Sequence, residues 1–382
     1  MTISRVCYCN RTDAQRSIDF KDGLSVNAAL DRALQTAADN IDGNMHRVFF
    51  PSDDSRYFDW PSQGGSGGGQ YAEPWRLWLN ENDIVVLTSL VTGGTTIPLN
   101  QVYLEPVNNP QKGRPFYTYI ELDRASTAAF GGNSQSPQHA IVMTGTWGYG
   151  AAADLAGTLA AGVGSGDTTI TTSDGSKIGP GDLMILGYGT GSAPYPSAAG
   201  YAGSIAPYTG ERILVTDQTM ISTGVTFSGP ATASAADNVL AVPDGTKFNA
   251  GEVLLLDAER MLIEEITGNN LVLRRAWDGT VLAGHTSGTI YAGRQYSVLR
   301  AQLGTTATSY SSGANVYKHR VPPLIHDLAI AEAAGQVLQE GSGYARTVGS
   351  GEAAHPAPGI ALMDKWDEAH TRHARKARHR GV

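Results

Sequence analysis

Apolar residues fall at helical spacing near both ends of the chain, and in short alternating or continuous runs between them. Val26, Ala29, Leu30, Ala33, Leu34, Ala37, Ile41 and Met45 share one face of a 3.6-residue repeat. This predicts a helix capped by Ser25, decaying at Gly43 and ended by Pro51. A shorter helix before it, running to about Asp19, starts at the capping-box spacing of Thr12 and Gln15. Beyond Val321-Pro322-Pro323, where proline is tolerated in a first helical turn, Leu324, Ile325, Leu328, Ala331, Ala334 and Leu338 form a second stripe. Gly341-Ser342-Gly343 closes it, and a last helix from about Ile360 turns Met363, Trp366 and Ala369 inward. Such stripes must be buried against other elements, so the helices of the two ends are expected to pack on each other.

Between them the pattern is β-type. Arg56–Pro61, Arg76–Leu79, Asp83–Leu90, Tyr117–Leu122 and Ile141–Trp147 read as strands of a small antiparallel sheet with hairpins. Ile84-Val85-Val86-Leu87 is continuous rather than alternating, which predicts a strand covered on both faces. Ser62–Gly69 reads as a flexible tract. From Ala151 the chain repeats itself. Thr168–Lys177 followed by Gly181–Leu186 matches Asn238–Lys247 followed by Gly251–Leu256, and each leads into a similar strand, Glu211–Val215 or Glu259–Ile263. A third echo relates Arg275-Ala276-Trp277-Asp278-Gly279-Thr280 to Arg300-Ala301-Gln302-Leu303-Gly304-Thr305. The fold class expected is α+β: a helical core from residues 1–150 with 320–382, carrying a β-hairpin region, and a β-rich insertion at 151–319. That insertion is expected to be barrel- or sandwich-like, with related units at about 165–225 and 235–319.

Composition agrees with this division. Charged residues are 17% of the chain and 46 of its 382 residues are glycine, which suits short strands and tight turns rather than long helices throughout. The net charge of −8 is unevenly spread. The terminal run 371–382 holds Arg372, Arg375, Lys376, Arg378 and Arg380 and no acid, leaving 23 basic against 36 acidic side chains elsewhere. An acidic body with a basic arm suggests two surfaces for two partners. No apolar stretch is long enough to span a membrane, and the first residues do not read as a signal peptide. Cys7 and Cys9 are too close along an extended chain to pair well, so a reduced, cytoplasmically made protein is expected.

Catalytic signatures are missing. Gly64-Gly65-Ser66-Gly67-Gly68 matches a nucleophile elbow in letters only, inside a glycine tract. There is no phosphate-binding loop, Gly187, Gly189 and Gly191 lie outside any βαβ context, and no His-Glu-x-x-His occurs. His370 and His373 have a metal-compatible spacing but stand among cations, His285 and His319 read as structural, and Glu264 and Glu265 would point to opposite faces of a strand. The expectation is no enzyme, no catalytic residue, no metal and no cofactor.

Several segments, taken in order, resemble the head-to-tail adaptor proteins of tailed phages, especially siphophages of actinobacteria. They are Cys9–Asp13, the helix running into His46–Pro51, Arg56–Trp60, Ile141–Tyr149, Glu259–Ile263, Arg274–Thr280 and Leu338–Gly349. The resemblance implies a structural virion protein at the portal vertex or neck, made in the host cytoplasm. It implies a ring of twelve copies between the portal protein and the stopper, head-completion or tail-terminator protein, through which genomic DNA passes without sequence-specific contact. It also implies portal docking by the last helix and arm, through Trp366, Arg372, Arg375, Lys376, Arg378 and Arg380. A host-surface carbohydrate-binding tail or baseplate protein, using the Gly/Tyr-rich β region, is the alternative from another class.

Overall fold

Helices from the two chain ends form one layer, and antiparallel sheets make up the rest of a mixed α+β chain. The computed structural model describes residues 2–17, 24–61, 75–109, 112, 114–131, 136–189, 201–204, 209–232, 234, 236–341, 347–348, 355–356 and 359–375. Helix α1 (Arg11–Ser17) is capped by Asn10, not Thr12, because the Asp13 amide donates to Asn10 Oδ1 at 2.8 Å. Helix α2 (Leu24–Met45) already includes Leu24, so Ser25 lies inside it, and it buries Leu30, Ala33, Leu34, Ala37, Ile41 and Met45 as the periodicity required. It packs on α3 (Pro323–Gly341), where Asn40 Nδ2 donates to Glu332 Oε1 at 2.9 Å. The buried face of α3 is Ile325, Leu328, Ala329, Ala333 and Val337; Leu338, expected inside, is 44% exposed. The buried stripe therefore runs through Ala329 and Ala333, with Ala331 and Ala334 half-buried beside it. In α4 (Gly359–His373), Ala369 is buried and Trp366 packs on the same core, but Met363 is 67% exposed.

The strands expected in one sheet form two. Strands β1 (Ser52–Phe58), β3 (Ile84–Thr92), β4 (Thr95–Thr96) and β7 (Ile141–Trp147) pair in the order β1-β7-β3-β4, and β2 (Arg76–Trp78), β5 (Val102–Glu105) and β6 (Tyr119–Leu122) form β2-β6-β5. The sheets share one core, in which Ile84, Val85, Val86 and Leu87 are all buried. The tract 62–69 lies outside the described residues.

The β-rich excursion leaves and rejoins the rest at one point. Its first strand, β8 (Ala153–Thr158), pairs with its last, β17 (Asn315–His319), through Ala153 and His319. Inside it the repeat is visible to the level of single hydrogen bonds. Strands β9 (Thr169–Thr171), β10 (Leu183–Leu186), the start of β11 (Glu211–Ala231) and the end of β16 (His285–Gln302) make the first unit. Strands β12 (Val239–Ala241), β13 (Val253–Leu256), β14 (Glu259–Thr267) and β15 (Asn270–Trp277) make the second. Leu186 pairs with Glu211 as Leu256 pairs with Glu259; Ile170 pairs with Tyr296 as Leu240 pairs with Leu271. A Cβ on Gly175 would lie 2.3 Å from Gly293 O, and one on Gly245 would lie 2.0 Å from Gly268 O, so both turns need glycine for the same close approach. Each unit has its own core.

The units are nested rather than consecutive. The long hairpin of β11 and β16 starts in the first unit and carries the whole second unit at its far end, so the tandem boundaries 165–225 and 235–319 do not describe it. The strand path runs β12-β15-β14-β13-β16-β11-β10-β17-β8, with β9 on β16. It is an open sheet rather than a closed barrel.

His319 closes the seam between this excursion and the helical layer. It is buried, with Nε2 2.9 Å from Phe49 O. Burial pushes its pKa down from 6.5 to about 4. The unfolded chain therefore binds a proton that the folded one refuses, and stability should fall as pH drops from about 6.5 towards about 4. Urea midpoints measured across that range should show the slope in the natural chain and a flatter one in His319→Gln. An equal slope in both would remove His319 from the explanation.

Candidate functional site at the C-terminal helix anchor

The end of α4 is held by a buried charge cluster built from the end of α2 and the start of β3. After Met45 the backbone turns through His46 at a positive φ of 49°, which aims Arg47 into the protein. Arg47 Nε is 2.7 Å from Asp83 Oδ2, its guanidinium lies 4.3 Å from the centre of the Phe116 ring, and its Nη1 donates to His373 O at 2.9 Å. Arg375 approaches the same carboxylate from the other side, with Nη2 2.6 Å from Asp83 Oδ1. Its amide donates to Met45 O at 3.0 Å, Nε donates to His46 O at 3.3 Å, and Nη1 donates to Asn80 O. The Asp83 contacts are ion pairs rather than aligned hydrogen bonds, since neither carboxylate oxygen has a hydrogen-bond partner.

Burial sets the electrostatics. It pushes Asp83 above the ordinary carboxylate range against the pull of Arg47 and Arg375, and it pushes Arg47 below the ordinary guanidinium range. His373 is lowered by burial and by the cations Arg47, Arg372 and Arg114. Its Nδ1 lies 3.0 Å from Tyr149 Oη, and both rings join the aromatic cluster around Phe49. Beside the cluster opens a cleft of about 480 Å³ lined by Trp78, Glu81, Arg114, Phe116, Arg372 and Arg375, among others. With four arginines and one carboxylate in its lining, it is a basic cleft beside a helix end.

The chain matches no protein-family model, no curated protein and no solved structure.

Of the residues expected to dock on a portal, two serve the chain's own packing. Trp366 packs on the helical core with Nε1 3.2 Å from Glu332 Oε2, and Arg375 is the clasp just described. Arg372 is exposed, with Nη2 2.8 Å from Glu368 one turn back. Lys376, Arg378 and Arg380 lie outside the described residues. His370 is exposed while His373 points into the aromatic cluster, so the spacing that could have shared a metal is divided between two environments. Among the described residues no three His, Cys, Asp or Glu side chains are grouped to hold a metal ion, and no helix is long and apolar enough to cross a membrane. Cys7 and Cys9 are buried free thiols, and burial pushes Cys7 up to about 12. Asp83 and Arg47 went unnoticed in the sequence, because nothing near either position signals a partner far along the chain.

Proposed function

We propose that this chain is a head-to-tail adaptor of a tailed phage: a structural subunit at the portal vertex that forms a ring beneath the portal, joins it to the stopper or tail and surrounds the path of the DNA. The observation that carries the reading is the anchor at Asp83. It fixes the last described residue, Arg375, on the body of the protein, so that the basic run beyond it starts from a rigid point. A segment held at its root loses less freedom on docking than one that is loose throughout. The helical layer drawn from both ends would form the ring, and the nested β units would project from it. The acidic balance of the rest of the chain suits a channel that must let DNA slide. A twelvefold ring, the portal and stopper as partners, and the virion as the location all belong to this reading.

The anchor also says where to cut. Truncation from residue 371 would remove His373 and Arg375 and disturb the fold, whereas deletion of 376–382 removes Lys376, Arg378 and Arg380 and leaves the clasp in place. That shorter deletion should abolish the joining of tails to filled heads in an infected culture, with the thermal midpoint of the purified chain unchanged. Normal yields of tailed, infectious particles would refute the docking role.

A further inference from the structure

Where α1 meets the first β unit, two side chains of complementary chemistry and one backbone amide converge on a single buried carboxylate oxygen. Asp182 Oδ2 accepts from Asn10 Nδ2 at 2.8 Å and from the Gly179 amide at 2.9 Å, and lies 2.9 Å from Lys318 Nζ on β17. Asn10 and Asp182 are 3% and 4% exposed. The other end of the Asn10 carboxamide is held as well, since the Asp13 amide donates to Oδ1. A nucleophile, an acyl carbon with its oxygen already hydrogen-bonded, and a carboxylate touching both the attacking and the leaving nitrogen are the parts an amide exchange requires.

We propose that Lys318 and Asn10 become joined by an intramolecular isopeptide bond, with Asp182 as the proton carrier. Asp182 takes a proton from the Lys318 ammonium, and the amine lone pair attacks Asn10 Cγ while the carbonyl electrons move to Oδ1, where the Asp13 N–H stabilises them. Asp182 passes its proton to Nδ2 and takes one from the attacking nitrogen. The Cγ–Nδ2 bond then breaks as the Cγ–Nζ amide forms. Ammonia leaves with the remaining proton, so one ammonium enters, one leaves and Asp182 ends as it began. No oxidant or further reactant is needed.

Burial raises the Asp182 carboxyl above its ordinary range; Lys318 opposes that shift and Asp13 adds to it, which suits a carboxylate that must hold a proton in passing. Burial lowers Lys318, but Asp182 and Asp13 more than offset this and its pKa is raised, so the reaction starts from the ion pair. The second unit lacks the arrangement. There Glu252 stands in the place of Asp182 and Ala292 in the place of Lys318, and the carboxylate takes Arg294 through two 2.8 Å contacts. α1 reaches the second unit as well, through Gln15 to Asp278 and Arg16 to Gly251, but the lysine and the asparagine meet at a carboxylate in the first unit.

A tryptic map of the full folded chain tests this. The cut after Lys318 should be lost, and Val6–Arg11 should appear as a branch on Ala301–Arg320, about 17 Da below the summed masses for the loss of ammonia. Asp182→Asn should give linear Val6–Arg11 and, with the cut after Lys318 restored, Ala301–Lys318; Lys318→Ala, as a second variant, should give linear Val6–Arg11 and linear Ala301–Arg320. Complete cleavage after Lys318 in the folded natural chain, with Val6–Arg11 at its full mass, would overturn the proposal. So would a 17 Da loss confined to a linear Val6–Arg11, which would mark a cyclic imide at Asn10.

Discussion

Glu259→Ala should destabilise the second β unit by about 3–5 kcal/mol, the usual cost of removing one partner from a buried ion pair. Glu259 is fully buried at the start of β14 and accepts from Arg275 Nε and Nη2 at 2.8 Å each, and from the amides of Ala276 and Ala283. His285 Nε2 is 2.9 Å away. Alanine leaves a guanidinium that is 4% exposed with no counter-charge. Glu211 holds the corresponding position in the first unit, with Arg300 in the place of Arg275 and the Ala301 amide in the place of Ala276. Glu211→Ala should therefore cost about as much, and urea unfolding of the two variants beside the natural chain makes the comparison. A loss below about 1 kcal/mol at either site would mean that the buried pair is not what holds that unit.

The same carboxylate sets an acid limit. Burial alone would raise the Glu259 pKa, but the donors from Arg275, Ala276, His285 and Ala283 outweigh it and bring it from 4.5 to about 2. A folded pKa below the unfolded one contributes stability that is fully present above about 4.5 and is lost as pH falls towards about 2. Glu259→Ala should lack this part of the acid dependence.

The second large effect is expected at the anchor. Asp83→Asn preserves shape and removes the charge that separates Arg47 from Arg375, leaving two buried guanidinium groups facing a neutral amide. The cost should again be about 3–5 kcal/mol if the clasp stays closed. Arg375 is the more exposed of the two, and it can escape to water by letting the end of α4 go. Hydrogen exchange should therefore show the Arg375 amide, which donates to Met45 O, losing protection while the amides of α2 keep theirs. Unchanged protection at Arg375, with unchanged stability, would contradict the role given to Asp83. If the docking reading is right, the same variant should also lower the yield of joined particles, since the arm would no longer start from a fixed point.

Much of this architecture is legible in the sequence because it follows from short-range periodicity. The α2 face, the doubly covered β3 strand and the duplicated turn chemistry all rest on residues a few positions apart. What was not legible depends on contacts distant along the chain. The nesting of one β unit inside the other comes from β11 and β16 running on past the first unit, and sequence offsets of 70 and 25 residues cannot tell nesting from succession. The inner face of α3 runs through Ala329, Ala333 and Val337 rather than Ala331, Ala334 and Leu338, because burial is set by α2 and α4 packed against it and not by the apolar spacing of α3 alone. Asn10 displaced Thr12 as the cap because its amide also reaches Asp182 on β10's approach loop, a contact 172 residues away. The anchor joins Arg47, Asp83 and Arg375, and no spacing rule connects them. The basic run was visible as a charge pattern, but one of its arginines proved to belong to the protein's own packing.

The adaptor reading stands or falls on how many copies of the chain surround one axis. Electron microscopy of the native assembly, with a mass determination, should find this chain in a twelvefold ring directly beneath a portal, with the helical layer in the ring and the nested β units projecting from it. Threefold symmetry at a tail tip would contradict the account and make the β units the candidate receptor-binding surface.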